Sequence, residues 1–560
     1  MDHKMLFLLI ALSCCSVSFG SNDTDSPIVE VKQGKIVGKI LKSRDGRDFY
    51  SFLGIPYGQA ERFQPPSLAA EWDGIFEAKS YGPQCVQKMW VTNQNIGEEN
   101  CLQLQVFTPS LSDNLPVAVY FHGGGFSIGT SNVLQPQYFM DENVVLVLVN
   151  YRLGPFGFLS MQDELIPGNN GLKDQNIALK WVQQNIANFG GNPDRVTLFG
   201  NSAGAASVSF HILSPQSAGL FHAAILQSGC ALNPWAMSKH PREMALRFGT
   251  NIGCPTDTSA KFLSCLRLKT TDEILNSMEP LTQWNFDPFT PFGVVVEPDV
   301  PGAFLTVDPL KSLETGSYSR VPVIAGVVED EGILLHSAYI LEHPKLLQDL
   351  NENWTNVLPI SLQFDRVYTN FTDEQQLNIS TEIRKFYFID QTISEDKRQQ
   401  LTNVYSDRLF NHGVRKCAVL LSEHSPVYSY QFAHNRGDYS ILRWFNIDKI
   451  FGVSHVDELS FLFAESYALA PEFQKDSIAE TVSKNFVKLW ASFITNGYPT
   501  EFWGNQQKWE PISREEREGK IPLKFYRMDA DTSIIDEPFA DRVVFWENIL
   551  KGNYQAGGQQ

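Results

Sequence analysis

Gly200-Asn201-Ser202-Ala203-Gly204 sets a serine between two glycines, after the apolar run Val196–Phe199 and before the small-residue stretch Ala205–Leu213. A serine hydroxyl attacks a carbonyl well only when a histidine takes its proton and an acid orients that histidine. The spacing suits a sharp turn from strand to helix, with bare glycines where the chain passes close to itself. Glu331, in Gly326-Val327-Val328-Glu329-Asp330-Glu331-Gly332, supplies a candidate acid. His455, in Gly452-Val453-Ser454-His455-Val456-Asp457-Glu458-Leu459, supplies a candidate base. Each of these segments alone reads as an acidic loop or a surface histidine. Gly123-Gly124-Gly125 follows the apolar run Val117–Phe121. The N–H groups of Gly124 and Gly125, joined by that of Ala203, could hold the negative charge that acyl transfer builds on an oxygen. In the order serine, acid, histidine, the set points to nucleophilic acyl transfer without metal or organic cofactor.

Such a set needs a rigid frame. Val117–Phe121, Val144–Val149, Val196–Phe199, Ala223–Leu226 and Val321–Ala325 are apolar runs of the kind buried on both faces of a mostly parallel sheet. Ile36–Leu41 and Phe49–Ile55 read as edge strands, and Val427–Phe432 as a further strand. Between them, Ile177, Ala178, Trp181, Val182, Ile186 and Phe189 fall on one helical face that Gly190-Gly191 ends. A late helix carries Val482, Phe486, Leu489, Trp490, Phe493 and Ile494 up to Asn496-Gly497. Strands alternating with helices predict an α/β fold: a large, mostly parallel central sheet flanked by helices, with long insertions.

The chain has 560 residues, 43% of them hydrophobic, and a formal net charge of −18. That acidity disfavours nucleic acid and anionic lipid as partners. Lys4, the apolar run Leu6–Leu12 and the small residues Ser18-Phe19-Gly20 predict a secretory signal peptide over residues 1–20, too short to span a bilayer. Residues 21–560 are then expected to form one secreted domain with no membrane span. Six cysteines remain after the signal. Cys85 with Cys101 and Cys254 with Cys265 are the local pairs expected to form disulfides, leaving Cys230 and Cys417 as buried thiols. Asn22, Asn353, Asn370 and Asn378 head glycosylation sequons, three of them close together on what would be one solvent-facing surface.

Gly54-Ile55-Pro56-Tyr57, Arg62-Phe63, Glu99-Asn100-Cys101-Leu102, His122–Phe126, Asn150–Gly154 and Leu172–Gln175, with the three catalytic segments, resemble the type-B carboxylesterase family, which includes cholinesterases and juvenile hormone esterases. The resemblance runs from about Ile28 to the final helix. It implies an α/β-hydrolase fold with a gorge, a Ser202–His455–Glu331 triad, a small-molecule ester as substrate, and the same two disulfides. It also implies ion pairs Arg62–Glu99 and Arg152–Asp174. Where the family carries glutamate before the nucleophile, and juvenile hormone esterases glutamine, this chain has Asn201. The missing negative charge argues against a cationic alcohol group such as choline, and the missing glutamine against a strict juvenile hormone esterase. Trp90 is expected to be a packed aromatic. Phe286, Phe289 and Phe292 read equally as an acyl pocket or as core. A non-catalytic binding protein of the same fold is the competing reading, and the presence of all three triad residues argues against it.

Overall fold

The computed structural model describes residues 26–556 except 366–368, 465–469, 502 and 504–506. The expected signal peptide and Asn22 therefore lie outside the described residues. The centre is an eleven-stranded sheet. In chain order its strands are β1 (Lys39–Lys42), β2 (Asp48–Pro56), β3 (Gln103–Thr108), β4 (Leu115–Phe121), β5 (Val145–Val149), β6 (Gly191–Asn201), β7 (Ala223–Gln227), β8 (Val323–Val328), β9 (Val427–Phe432), β10 (Lys524–Met528) and β11 (Thr532–Asp536). Across the sheet they run β11-β10-β9-β8-β7-β6-β4-β5-β3-β2-β1. The strands from β5 through β4 and β6 to β10 pair in parallel, while β1, β2, β3 and β11 are antiparallel additions at the two edges.

Alternation along the strands divides the interior. Val117, Val119 and Phe121 of β4 point into one core, and Ala118 and Tyr120 into the other. Helices α1 (Asn170–Asn185), α2 (Ala203–Leu213) and α3 (His412–Leu421) fill the first, where Trp181, Val182, Val208, Phe210 and Val414 are buried. Helix α4 (Ile478–Asn496) covers the second with Phe486, Leu489 and Trp490. Full burial of such a side chain is worth about 1.5–3 kcal/mol. The two-faced sheet is thus fixed by the unbroken β-branched runs, and the helix positions by their apolar stripes.

Three expectations shift. Ile36–Leu41 is two strands: Gly34–Val37 joins a small separate sheet with Ile28–Val31 and Ile75–Glu77, and only Lys39–Lys42 edges the main one. The break falls at Gly38, where a Cβ would stand 2.6 Å from both the Ser51 carbonyl oxygen and the Phe52 ring. Strand β2 is internal, between β1 and β3. Strand β8 starts at Val323 because Pro322 has no N–H to give a ladder.

Both expected disulfides are present, Cys85–Cys101 and Cys254–Cys265, and Cys230 and Cys417 are buried free thiols. Arg152 grips buried Asp174 through two side-chain bonds, Nε at 2.8 Å and Nη2 at 2.7 Å, and Arg62 pairs with Glu99. The side chains of Asn353, Asn370 and Asn378 belong to exposed residues. Among the described residues no helix is long and apolar enough to cross a membrane.

Candidate active site

Ser202 stands at the carboxyl end of β6 and immediately before α2, where open α/β sheets place their ligands. Its backbone is at φ 60°, ψ −123°, a conformation that non-glycine residues rarely adopt. Such a residue typically costs about 1–3 kcal/mol and persists because its surroundings enforce it. Here the Ser202 N–H donates to the Gln227 carbonyl at 2.8 Å, while its own carbonyl accepts from Ala206. The flanking glycines are required by space. A Cβ on Gly200 would meet the Gly204 carbonyl carbon at 2.5 Å, and one on Gly204 the Phe121 oxygen at 1.9 Å.

Glu331 follows β8 by three residues and is wholly buried. Its Oε1 accepts the Val328 N–H at 2.9 Å, which turns Oε2 toward Nδ1 of His455, 2.5 Å away. The histidine loop is tied to the acid loop by backbone. Asp330 N–H donates to the Val453 carbonyl, and Val453 N–H to Asp330 Oδ2. Asp457 then closes the loop on itself by accepting the N–H groups of Ser454 and Ile441. Phe410 packs on the imidazole with centroids 4.4 Å apart. Val456, beside His455, is at φ 80°, a second strained residue in the same wall.

The glycine loop is equally constrained. Gly124 and Gly125 sit at φ +113° and +57°, and a Cβ on Gly124 would come within 1.9 Å of the Ile128 oxygen. The Gly124 carbonyl accepts from Ser127 and Ile128, which tightens the turn. Behind it, His122 stacks on Tyr151 and its Nδ1 lies 2.8 Å from the Gly123 carbonyl oxygen. Burial lowers the His122 pKa to about 4, so the ring is neutral and adds no charge beside the loop. Ala203 opens α2, where the first N–H groups have no partner within the helix.

These pieces converge. Ser202, His455, Gly124 and Gly125 line one cavity, with Glu331 behind the imidazole. Phe289, Leu334, Phe410 and Trp444 make most of the remaining wall apolar. Trp90 packs edge-on against Phe289, as expected of a packed aromatic, and in addition faces the cavity. Trp90 and Phe445 also line a neighbouring cavity with Phe286 and Tyr339. Of the three phenylalanines, Phe289 alone faces Ser202. Phe286 stands further out and Phe292 packs in the core against Phe248.

Glu458 escaped sequence reasoning, although its segment did not. Glu458 is fully buried, and its Oε1 accepts from Asn201 Nδ2 at 2.6 Å. Burial, then the nearby Glu331 carboxylate, push its pKa up to about 8, so it is mainly protonated at neutral pH. Asn201 therefore replaces a charge with a neutral donor toward an acid that is itself neutral. The folded protein keeps this proton while the unfolded chain loses it near the ordinary value of 4.5, so stability falls as pH rises from there to about 8. Glu458→Gln removes that penalty. Thermal melts should show the variant gaining on the native protein between pH 5 and 8 by about several degrees, then levelling. A difference in melting temperature independent of pH would show that Glu458 is ionised in the fold.

A parallel sheet with a serine turn at the end of its central strand, followed by an acid and a histidine on later loops, defines an α/β-hydrolase. A profile of the carboxylesterase family matches residues 25–546. Venom carboxylesterase-6 of Apis mellifera is 34% identical over 98% of this chain and 99% of its own. Esterase FE4 of Myzus persicae is 35% identical, covering 91% and 90%, and juvenile hormone esterase of Tribolium castaneum 35%, covering 88% and 87%. The chain belongs to the carboxylesterase family and is a carboxylic ester hydrolase.

Proposed function

We propose that the protein is a secreted serine esterase acting on neutral carboxylic esters, with Ser202 as nucleophile, His455 as base and Glu331 as the acid that orients it. The observation that carries this reading is the 2.5 Å contact from His455 Nδ1 to Glu331, in a histidine sharing a cavity wall with strained Ser202. With Nδ1–H donated to the carboxylate, Nε2 is left to accept the serine proton. Ser202 Oγ attacks the ester carbonyl, and the oxyanion rests on the N–H groups of Gly124, Gly125 and Ala203. His455 then gives its proton to the leaving alcohol. Water, deprotonated by the same ring, attacks the acyl-serine and frees the acid. The apolar wall, neutral Asn201 and protonated Glu458 favour uncharged substrates over cationic ones. Export of residues 21–560 as one domain is supported by the leader composition, two disulfides and three exposed sequon asparagines.

One experiment reads both parts. Intact-mass and peptide analysis of protein recovered from the medium of expressing cells, quenched in acid during turnover of a para-nitrophenyl ester, should show an N terminus near Ser21. It should also show glycan at Asn353, Asn370 or Asn378 and an acyl group on the Ser202 peptide. Ester turnover with the acyl group on another residue would overturn the assignment of the nucleophile.

A further inference from the structure

The catalytic cavity contains a second buried histidine–carboxylate pair that the hydrolytic steps do not use. His336 lines the cavity and is 3% exposed, and Asp287 behind it is fully buried. Nε2 of His336 lies 3.4 Å from Asp287 Oδ1. The other ring nitrogen, Nδ1, is buried with no hydrogen-bond partner, as is Asp287 Oδ2. Buried polar atoms are nearly always paired, so an unpaired one in the wall of a substrate cavity asks for a ligand.

The surroundings hold the ring firmly. It stacks on Tyr405 with centroids 4.1 Å apart and abuts Phe289. Leu335, just before it, is at φ 65°, a strained conformation for leucine that lies in the same wall. Asn285 donates to the Leu335 carbonyl, which ties the strand-like turn carrying Asp287 to the segment carrying His336.

Proton counting fixes what Nδ1 can do. Ionised Asp287 beside neutral His336 would leave a net negative charge inside an apolar wall, which burial penalises. A proton on Asp287 Oδ2, with Nε2–H donating to Oδ1, would leave that proton without an acceptor, because Oδ2 has no partner. The remaining net-neutral arrangements are protonated Asp287 donating to Nε2, and ionised Asp287 beside imidazolium. Both put a hydrogen on Nδ1. Burial also weakens Asp287 as an acid, although His336 acts in the opposite direction.

We propose that His336, held by Asp287, is a specificity residue whose Nδ1–H donates to a second oxygen in the substrate. The preferred esters then carry an ether, ketone or further ester oxygen in the acyl or alcohol chain, besides the ester that is cleaved. This rests on the esterase reading above and selects among its substrates.

The test compares kcat/KM for para-nitrophenyl heptanoate with analogues in which one chain methylene at a time is an ether oxygen, and for acetates of the matching alcohols. In the native protein at least one oxygen position should be favoured. In His336→Leu the ratio of that analogue to its hydrocarbon parent should fall by about tenfold. Asp287→Asn should keep the preference, because its amide donates to Nε2 and leaves the hydrogen on Nδ1. Should His336→Leu fail to fold, His336→Phe, flat against Tyr405, gives the same comparison. A ratio unchanged by His336 substitution at every position would overturn the proposal with the esterase intact. A native protein unable to cleave the heptanoate would instead overturn the reading beneath it.

Discussion

Ser202→Ala is expected to lower kcat/KM for simple esters by about a million-fold, with the melting temperature nearly unchanged. The change removes only Oγ. The Ser202 N–H bond to Gln227 and the start of α2 involve backbone, and alanine meets the same positive φ as serine. Glycines at 200 and 204 still provide the close approach to Phe121. What survives is the oxyanion hole and substrate binding, which together accelerate hydrolysis by about a thousandfold over water in sites of this type. The check is kcat/KM on a para-nitrophenyl ester beside a thermal melt. Retention of more than about a hundredth of the native rate in a folded variant would place the nucleophile elsewhere, since loss of the serine costs about a million-fold in the protease precedent.

Much of this site was legible because its demands are local. Bare glycines are needed where backbone must pass within van der Waals distance of backbone, and that is realised for Gly123 at Asn201, for Gly124 at Ile128, and for Gly200 and Gly204 at Phe121. The centres of the parallel strands β4 to β8 were equally plain as mainly apolar runs, although β6 also takes in the polar residues Asn192, Asp194 and Arg195. Strand β1 was not, because the apolar pattern runs through Gly38 while the chain changes sheets there. Strands β10 and β11 and the terminal helix α5 (Ala540–Ala556) went unread for a different reason: they lie at the sheet edge or its periphery, where polar positions interrupt the pattern. Glu458 and the Asp287–His336 pair were invisible as partners. Their significance depends on burial and on contacts spanning 257 and 49 positions, which no local spacing encodes.

Glu331→Gln tests the acid with a smaller but still large effect and a different cause. Val328 N–H needs an acceptor, so the new amide must turn its oxygen there and its NH2 toward His455, where Oε2 stood. A donor facing Nδ1 forces that nitrogen to accept, and the ring proton moves to Nε2. Nε2 then cannot take the proton of Ser202. The geometry survives while the tautomer is wrong, a defect worth about ten-thousandfold in kcat in the serine-protease precedent. Because the amide cannot carry the charge that balances imidazolium, KM should change far less than kcat. Steady-state kinetics on a para-nitrophenyl ester, with a melt to confirm folding, decide it. A loss smaller than about tenfold would mean that another carboxyl orients His455, and Glu458, close enough to feel the charge of Glu331, would be the first to examine.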